Sequence, residues 1–236
     1  NSLTYFDVSN NFLTGEIPTA IGLLGKLQVL NVNGNKLTSA IPASLSLLSQ
    51  LQTLDATGNE LTGTISSSFG SLFSLTTLQL KFNQLTGVIP TSVGSLSELR
   101  GIYLNNNKLS GRLPSEIGSM TNLLTLEIYD SDLTGSIPSS LGSLVLLTNL
   151  DLTTNQLTGS IPSSMRFMIR LQTLNLATNK LTGRIPSSFG SMQSLQSISL
   201  GTNKLNGTIP SELASLSGLY YMYLFINELS ELQYNI

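Results

Sequence analysis

The 236-residue chain carries 11 Lys and Arg against 13 Asp and Glu, a net charge of −2, and only 10% of its residues are charged. That balance offers no long-range attraction to nucleic acid or to an anionic membrane. Cysteine and histidine are both absent, which removes disulfides, thiolate nucleophiles, the usual zinc sites and Ser-His-Asp triads.

From the first residues onward the chain keeps one period. Leucines recur every 24 residues at Leu3, Leu27, Leu51, Leu75, Leu99, Leu123, Leu147, Leu171, Leu195 and Leu219. A period this strict predicts a stack of like coils in place of a single globular core. In the seventh repeat, Leu150 and Leu152 alternate as a short strand does. Asn155 follows, then Leu157-Thr158-Gly159-Ser160-Ile161-Pro162, then the apolar Met165 and Met168. One coil cannot bury these side chains alone, but stacked neighbours can.

Three columns give each coil its turns. Asparagine recurs at Asn11, Asn35, Asn59, Asn83, Asn107, Asn155, Asn179, Asn203 and Asn227, with Ser131 as the break. An amide at the same point of every coil predicts a hydrogen-bonded ladder along the stack. All eight prolines, from Pro18 to Pro210, fall in a second column, which Ser66 occupies in repeat three. Proline suits a bend where a ladder stops. Glycine recurs three residues before the prolines, and Ser39 replaces it in repeat two, where a local distortion is expected.

Written out, the consensus is LxxLxLxxNxLTGxIPxxLGxLxx. It resembles the plant-specific leucine-rich repeat of receptor-like kinase ectodomains and polygalacturonase-inhibiting proteins, and the resemblance covers the whole chain. The element Leu133-Thr134-Gly135-Ser136-Ile137-Pro138 is characteristic of that class. The resemblance implies an α/β leucine-rich-repeat solenoid: a right-handed superhelix with a concave parallel β-sheet, short second strands, and 3₁₀ turns on the convex side. The expected organisation is one domain, residues 1–236, of ten 24-residue repeats. The family's cysteine-paired caps are missing, so the chain reads as a segment of a longer protein or one whose two ends meet packing partners.

In such a stack the repeated columns build the scaffold, and specific chemistry lies in the columns that vary. Repeats four to six place Lys81, Phe82, Arg100, Tyr103, Asn105, Glu127, Tyr129 and Asp130 at positions expected to converge on the concave surface, whereas repeats seven to nine look bland. Aromatic side chains beside charges and amides suit peptide, protein or glycan recognition. The first reading is therefore a non-enzymatic recognition module, extracellular or at the cell surface, with no cofactor and no resident metal. Glu127 and Asp151 are expected about 5 Å apart, a glycosidase-like separation, but an open sheet supplies neither a cleft nor a tuned acid. The same carboxylates with Asp130 offer only adventitious calcium binding.

Two alternatives stand beside that reading. The aromatic last strand, with Tyr220, Tyr221, Tyr223 and Phe225, suits an assembly subunit that packs through its ends. The hydroxyl columns, Thr134-Thr158-Thr182 and the serines after the prolines, suit ice binding. Asn206-Gly207-Thr208 is an acceptor pattern for N-glycosylation.

Overall fold

A computed structural model describes residues 2–231 of the chain. Ten three-residue strands, from Tyr5–Asp7 to Tyr221–Tyr223, form one parallel sheet in sequence order. Neighbouring strands pair at a 24-residue offset, as Leu126 does with Ile102 and Leu150. The sequence period is therefore the sheet register. The middle residue of each strand points inward, and with the leucines around it builds one continuous core running from Ile17 to Leu216. Burying each such side chain is worth about 1.5–3 kcal/mol, and neighbouring coils share every one of them.

After each concave strand the chain passes through the asparagine column. The amide nitrogen of Asn155 donates to Leu152 and Thr153 carbonyls of its own coil and to Ile128 of the coil before, while its Oδ1 accepts from the Leu133 amide. The same pattern holds from Asn35 to Asn227 wherever asparagine is present. These bonds occupy the buried amide fully and lock successive coils in register. The residue before each asparagine lies in the left-handed region, whether it is Gly34, Phe82, Thr154 or Ile226, and so does Asp130 before Ser131. Its N–H continues the ladder past the strand, as from Asp130 to the Thr153 carbonyl.

A second parallel sheet of seven strands runs from Thr86–Val88 to Glu228–Glu231. Here the pairing offset is 22 residues, so that Thr134 lies opposite Gln156 and Thr158 opposite Lys180. At the N-terminal side this sheet breaks into Thr14–Gly15 paired with Lys36–Leu37 and two isolated bridges, Ala40 with Thr62 and Thr64 with Thr86. Ser39 stands at this break. It adopts φ 66°, the conformation its column otherwise gives to glycine, which costs a side-chain-bearing residue about 1–2 kcal/mol. Ser39 thus keeps the backbone of the glycine column at that cost, in place of the local distortion expected there, and the outer sheet is equally interrupted at Thr64 and Thr86, where the glycines are present.

Each coil closes through a five-residue 3₁₀ turn capped by the proline column, for example Ser139–Ser143 after Pro138. Ser66 replaces proline with the same backbone angles, and its hydroxyl accepts from the Ser68 amide. Where the second residue of the turn is serine, it donates to a carbonyl of the previous coil: Ser140 to Ser115 and Ser164 to Ser139, both at 2.7 Å. Glycine two residues on lets the coils approach this closely. A Cβ at Gly142 would lie 2.4 Å from the Ser164 carbonyl oxygen. Where Ser46 and Arg166 replace that glycine, the serine bond of the following coil lengthens to 3.5 Å at Ser68 and 3.4 Å at Ser188.

Candidate functional site

The concave sheet aligns its outward residues in columns about 4.8 Å apart. The middle column brings Tyr103 beside Glu127, and Glu127 beside Asp151. Lys81 lies over the Tyr103 ring, its Nζ 5.5 Å from the centroid. Glu127 accepts a hydrogen bond from Asn149 at 2.8 Å, and Asp151 accepts from Asn175 and from the Thr153 amide. Burial, and then repulsion from Asp151, hold the Glu127 carboxyl above the usual carboxylate range, against the pull of Lys81 and Asn149. Tyr129 is raised by burial and by Glu127, Asp151 and Asp130.

The eight residues singled out in repeats four to six do not form one uniform surface. Lys81, Tyr103, Glu127 and Tyr129 are half-buried in the sheet columns, and Asp130 is exposed at its margin. Phe82 projects from the left-handed turn and is 51% exposed. Arg100 is exposed at the entrance of its strand. Asn105 departs from the expectation: it is fully buried. Its Nδ2 donates to Asn106, whose own amide donates to Asp130, and its Oδ1 has no partner. Asn105 therefore supports the surface from below and does not present itself to a ligand. Ser131 is equally short of partners, its hydroxyl buried and unbonded where other coils carry the asparagine amide.

The concavity itself lies further along the chain. A trough of about 510 Å³ opens from Tyr129 and Asp130 across Asp151, Thr153, Asn175 and Ser199 to Tyr223. Small side chains form its floor and tyrosines stand at its two ends. Tyr223 stacks in parallel on Tyr221, the centroids 6.1 Å apart. Both rings thus belong to the concave face, while Tyr220 and Phe225 are more than half exposed beside them. Repeats seven to nine, bland in sequence, supply the floor. Among the described residues, no group of three acidic side chains is placed to hold a metal ion.

Part of the hydroxyl array has a structural use. The second serine after the proline, as Ser140 and Ser164, spends its hydroxyl on a carbonyl of the previous coil, and the outer threonines Thr134 and Thr158 face Gln156 and Lys180 across the sheet. Asn206 is exposed on the outer strand Lys204–Thr208.

The leucine rich repeat family model matches residues 1–61 and 169–229, and a second leucine rich repeat model matches 74–96, 98–120 and 146–168. The chain belongs to the leucine-rich-repeat family. Its repeats are of the plant type. The leucine-rich-repeat ectodomain of the membrane receptor kinase GASSHO1/SCHENGEN3 from Arabidopsis thaliana, solved with CASPARIAN STRIP INTEGRITY FACTOR 2, superposes with TM-score 0.95 at 36% identity over 97% of this chain. The Arabidopsis receptor kinase HAESA, solved with the peptide hormone IDA and the co-receptor SERK1, gives TM-score 0.95 at 36% identity over 98%. This repeat protein spans 27% and 38% of those two chains. A plant ice-binding protein matches with TM-score 0.81 at 30% identity, over 95% of this chain and 73% of its own. No curated protein matches the leucine-rich-repeat sequence.

Proposed function

We propose that this chain is a non-enzymatic, extracellular recognition module that binds an extended peptide in the concave trough between Tyr129 and Tyr223. The observation that carries the reading is the trough: small-residue floor, aromatic ends and carboxylates on a rigid sheet. Four strand spacings separate the two tyrosines, roughly 19 Å, enough for about six extended residues. Asp130 and Asp151 line the trough and no basic side chain does, so a lysine or arginine of the ligand is the favoured contact. Because the sheet is already ordered, little side-chain entropy is lost on binding. The likeness to receptor ectodomains solved with a peptide hormone supports a peptide over a glycan.

Selection of a random 12-residue peptide library against the immobilised chain tests this reading. Recovered peptides are expected to be enriched in lysine and arginine. Tyr129→Ala and Tyr223→Ala are each expected to weaken them about tenfold or more without moving the melting temperature appreciably, since both rings are partly exposed. Affinity unchanged in both variants would sink the proposal.

The ice-binding relative supports a second reading through the hydroxyl columns. Thermal hysteresis measures it, and ice growth unaffected by the protein removes it. The charged residues paired among the outer threonines weigh against it.

A further inference from the structure

Coil seven departs from its neighbours along one edge. After the buried side chain that ends the proline turn, the two adjoining coils carry Gly and Ser, in Leu141-Gly142-Ser143-Leu144 and Phe189-Gly190-Ser191-Met192, while Leu23, Leu47 and Phe73 are exposed in the same columns of coils one to three without a pair of arginines beside them. Coil seven reads Met165-Arg166-Phe167-Met168-Ile169-Arg170. Met165 and Met168 join the core, while Phe167 is 51% and Ile169 59% exposed between two exposed arginines. One repeat earlier, Val145 is also exposed and stands in the column of Ile169.

Packing does not explain these residues. Arg166 occupies the glycine column and lengthens the next serine bond to 3.4 Å, against 2.7 Å across the preceding coil. A cleft of about 600 Å³ opens beside it, lined by Arg166, Ser188, Gly190 and Glu212 among others. Coil seven thus loosens the stack and exposes apolar surface. The Arg166 guanidinium lies over the Phe167 ring, 4.7 Å from its centroid, which holds charge and ring together on an exposed surface.

We propose that this edge docks a protein segment bearing carboxylates beside apolar side chains. The arginines at 166 and 170 supply bidentate carboxylate contacts, and Phe167, Ile169 and Val145 supply the apolar centre. Two arginines on a chain of net charge −2 fall short of the roughly 4–8 basic residues that hold a peripheral protein to anionic lipid. The surface is separate from the concave trough and does not depend on it.

Fluorescence anisotropy with a labelled synthetic peptide of alternating glutamate and leucine tests this, with the lysine–leucine peptide and phosphatidylserine vesicles in parallel. The acidic peptide is expected to bind, to weaken with added salt, and to lose about tenfold or more in affinity in Phe167→Ser/Ile169→Ser and in Arg170→Gln. These side chains are exposed, so both variants should melt as the parent does; Arg166→Gly, which restores the glycine column, should lose binding while melting higher. Equal affinity in parent and variants, no binding of the acidic peptide, or binding of the lysine peptide or the vesicles in its place overturns the proposal.

Discussion

At position 131 a serine stands in the asparagine column, and its buried hydroxyl meets no partner. Elsewhere the asparagine amide makes up to four bonds, two within its own coil and two to the previous one. Ser131→Asn is therefore expected to stabilise the chain by about 1–2 kcal/mol, seen as a higher melting temperature; an unchanged or lower value would show that the gap is not the cost inferred. The break was visible in the sequence because one column lost its residue. The burial of Asn105 was not, because strand alternation places it outward, like Tyr103, and only the surrounding side chains cover it. Glu127 gives a pH prediction. Its folded carboxyl is raised by burial and by Asp151, so the folded state holds the proton more tightly than the unfolded one. Ionising it opposes folding at neutral pH, and this cost disappears as pH falls through the raised range to below the ordinary carboxylate value. Glu127→Gln should accordingly melt higher than the parent at pH 7 and converge with it in acid. A gap that widens in acid would contradict that sign.

Turns and strands were legible as elements because each repeated column answers a local demand: proline before the 3₁₀ turn, glycine where backbones meet, asparagine where the strand ends. Ser66 shows that the demand matters more than the residue, since a capping hydroxyl does the work of proline at the same backbone angles. Replacing the glycine of the 3₁₀ turn has a visible cost, since behind Ser46 and Arg166 the next serine bond is longer. At Gly142 a Cβ meets a backbone oxygen of the next coil, which cannot rotate away. Gly142→Ala should cost about 1–3 kcal/mol by overpacking and lower the melting temperature, whereas alanine at exposed Gly25, where nothing lies within 4 Å, should not. Equal effects at the two sites would show that close approach of the turns is not what selects glycine. The 22-residue offset of the outer sheet escaped the sequence, because the repeat length is 24 and only the geometry of the coil sets which residues meet.

For the whole molecule, a uniform stack makes recognition a matter of which surface breaks the repeat. The sequence drew attention to large residues in repeats four to six. The trough lies mainly in repeats six to ten, because small residues between two distant tyrosines make a concavity only when the columns are aligned. Absence of bulk leaves no signal in a single repeat. The leucine-rich-repeat scaffold holds Tyr223 on one continuous ten-stranded sheet and Tyr129 just past the end of its strand Thr125–Glu127, so a ligand can meet both without rearrangement. The most direct measurement is photo-crosslinking of a library-selected peptide to the chain, with the modified residues read by mass spectrometry. Modification at Tyr129, Asp151, Asn175, Ser199 or Tyr223 is the predicted result, and modification confined to the outer sheet or to the 3₁₀ turns would contradict the account.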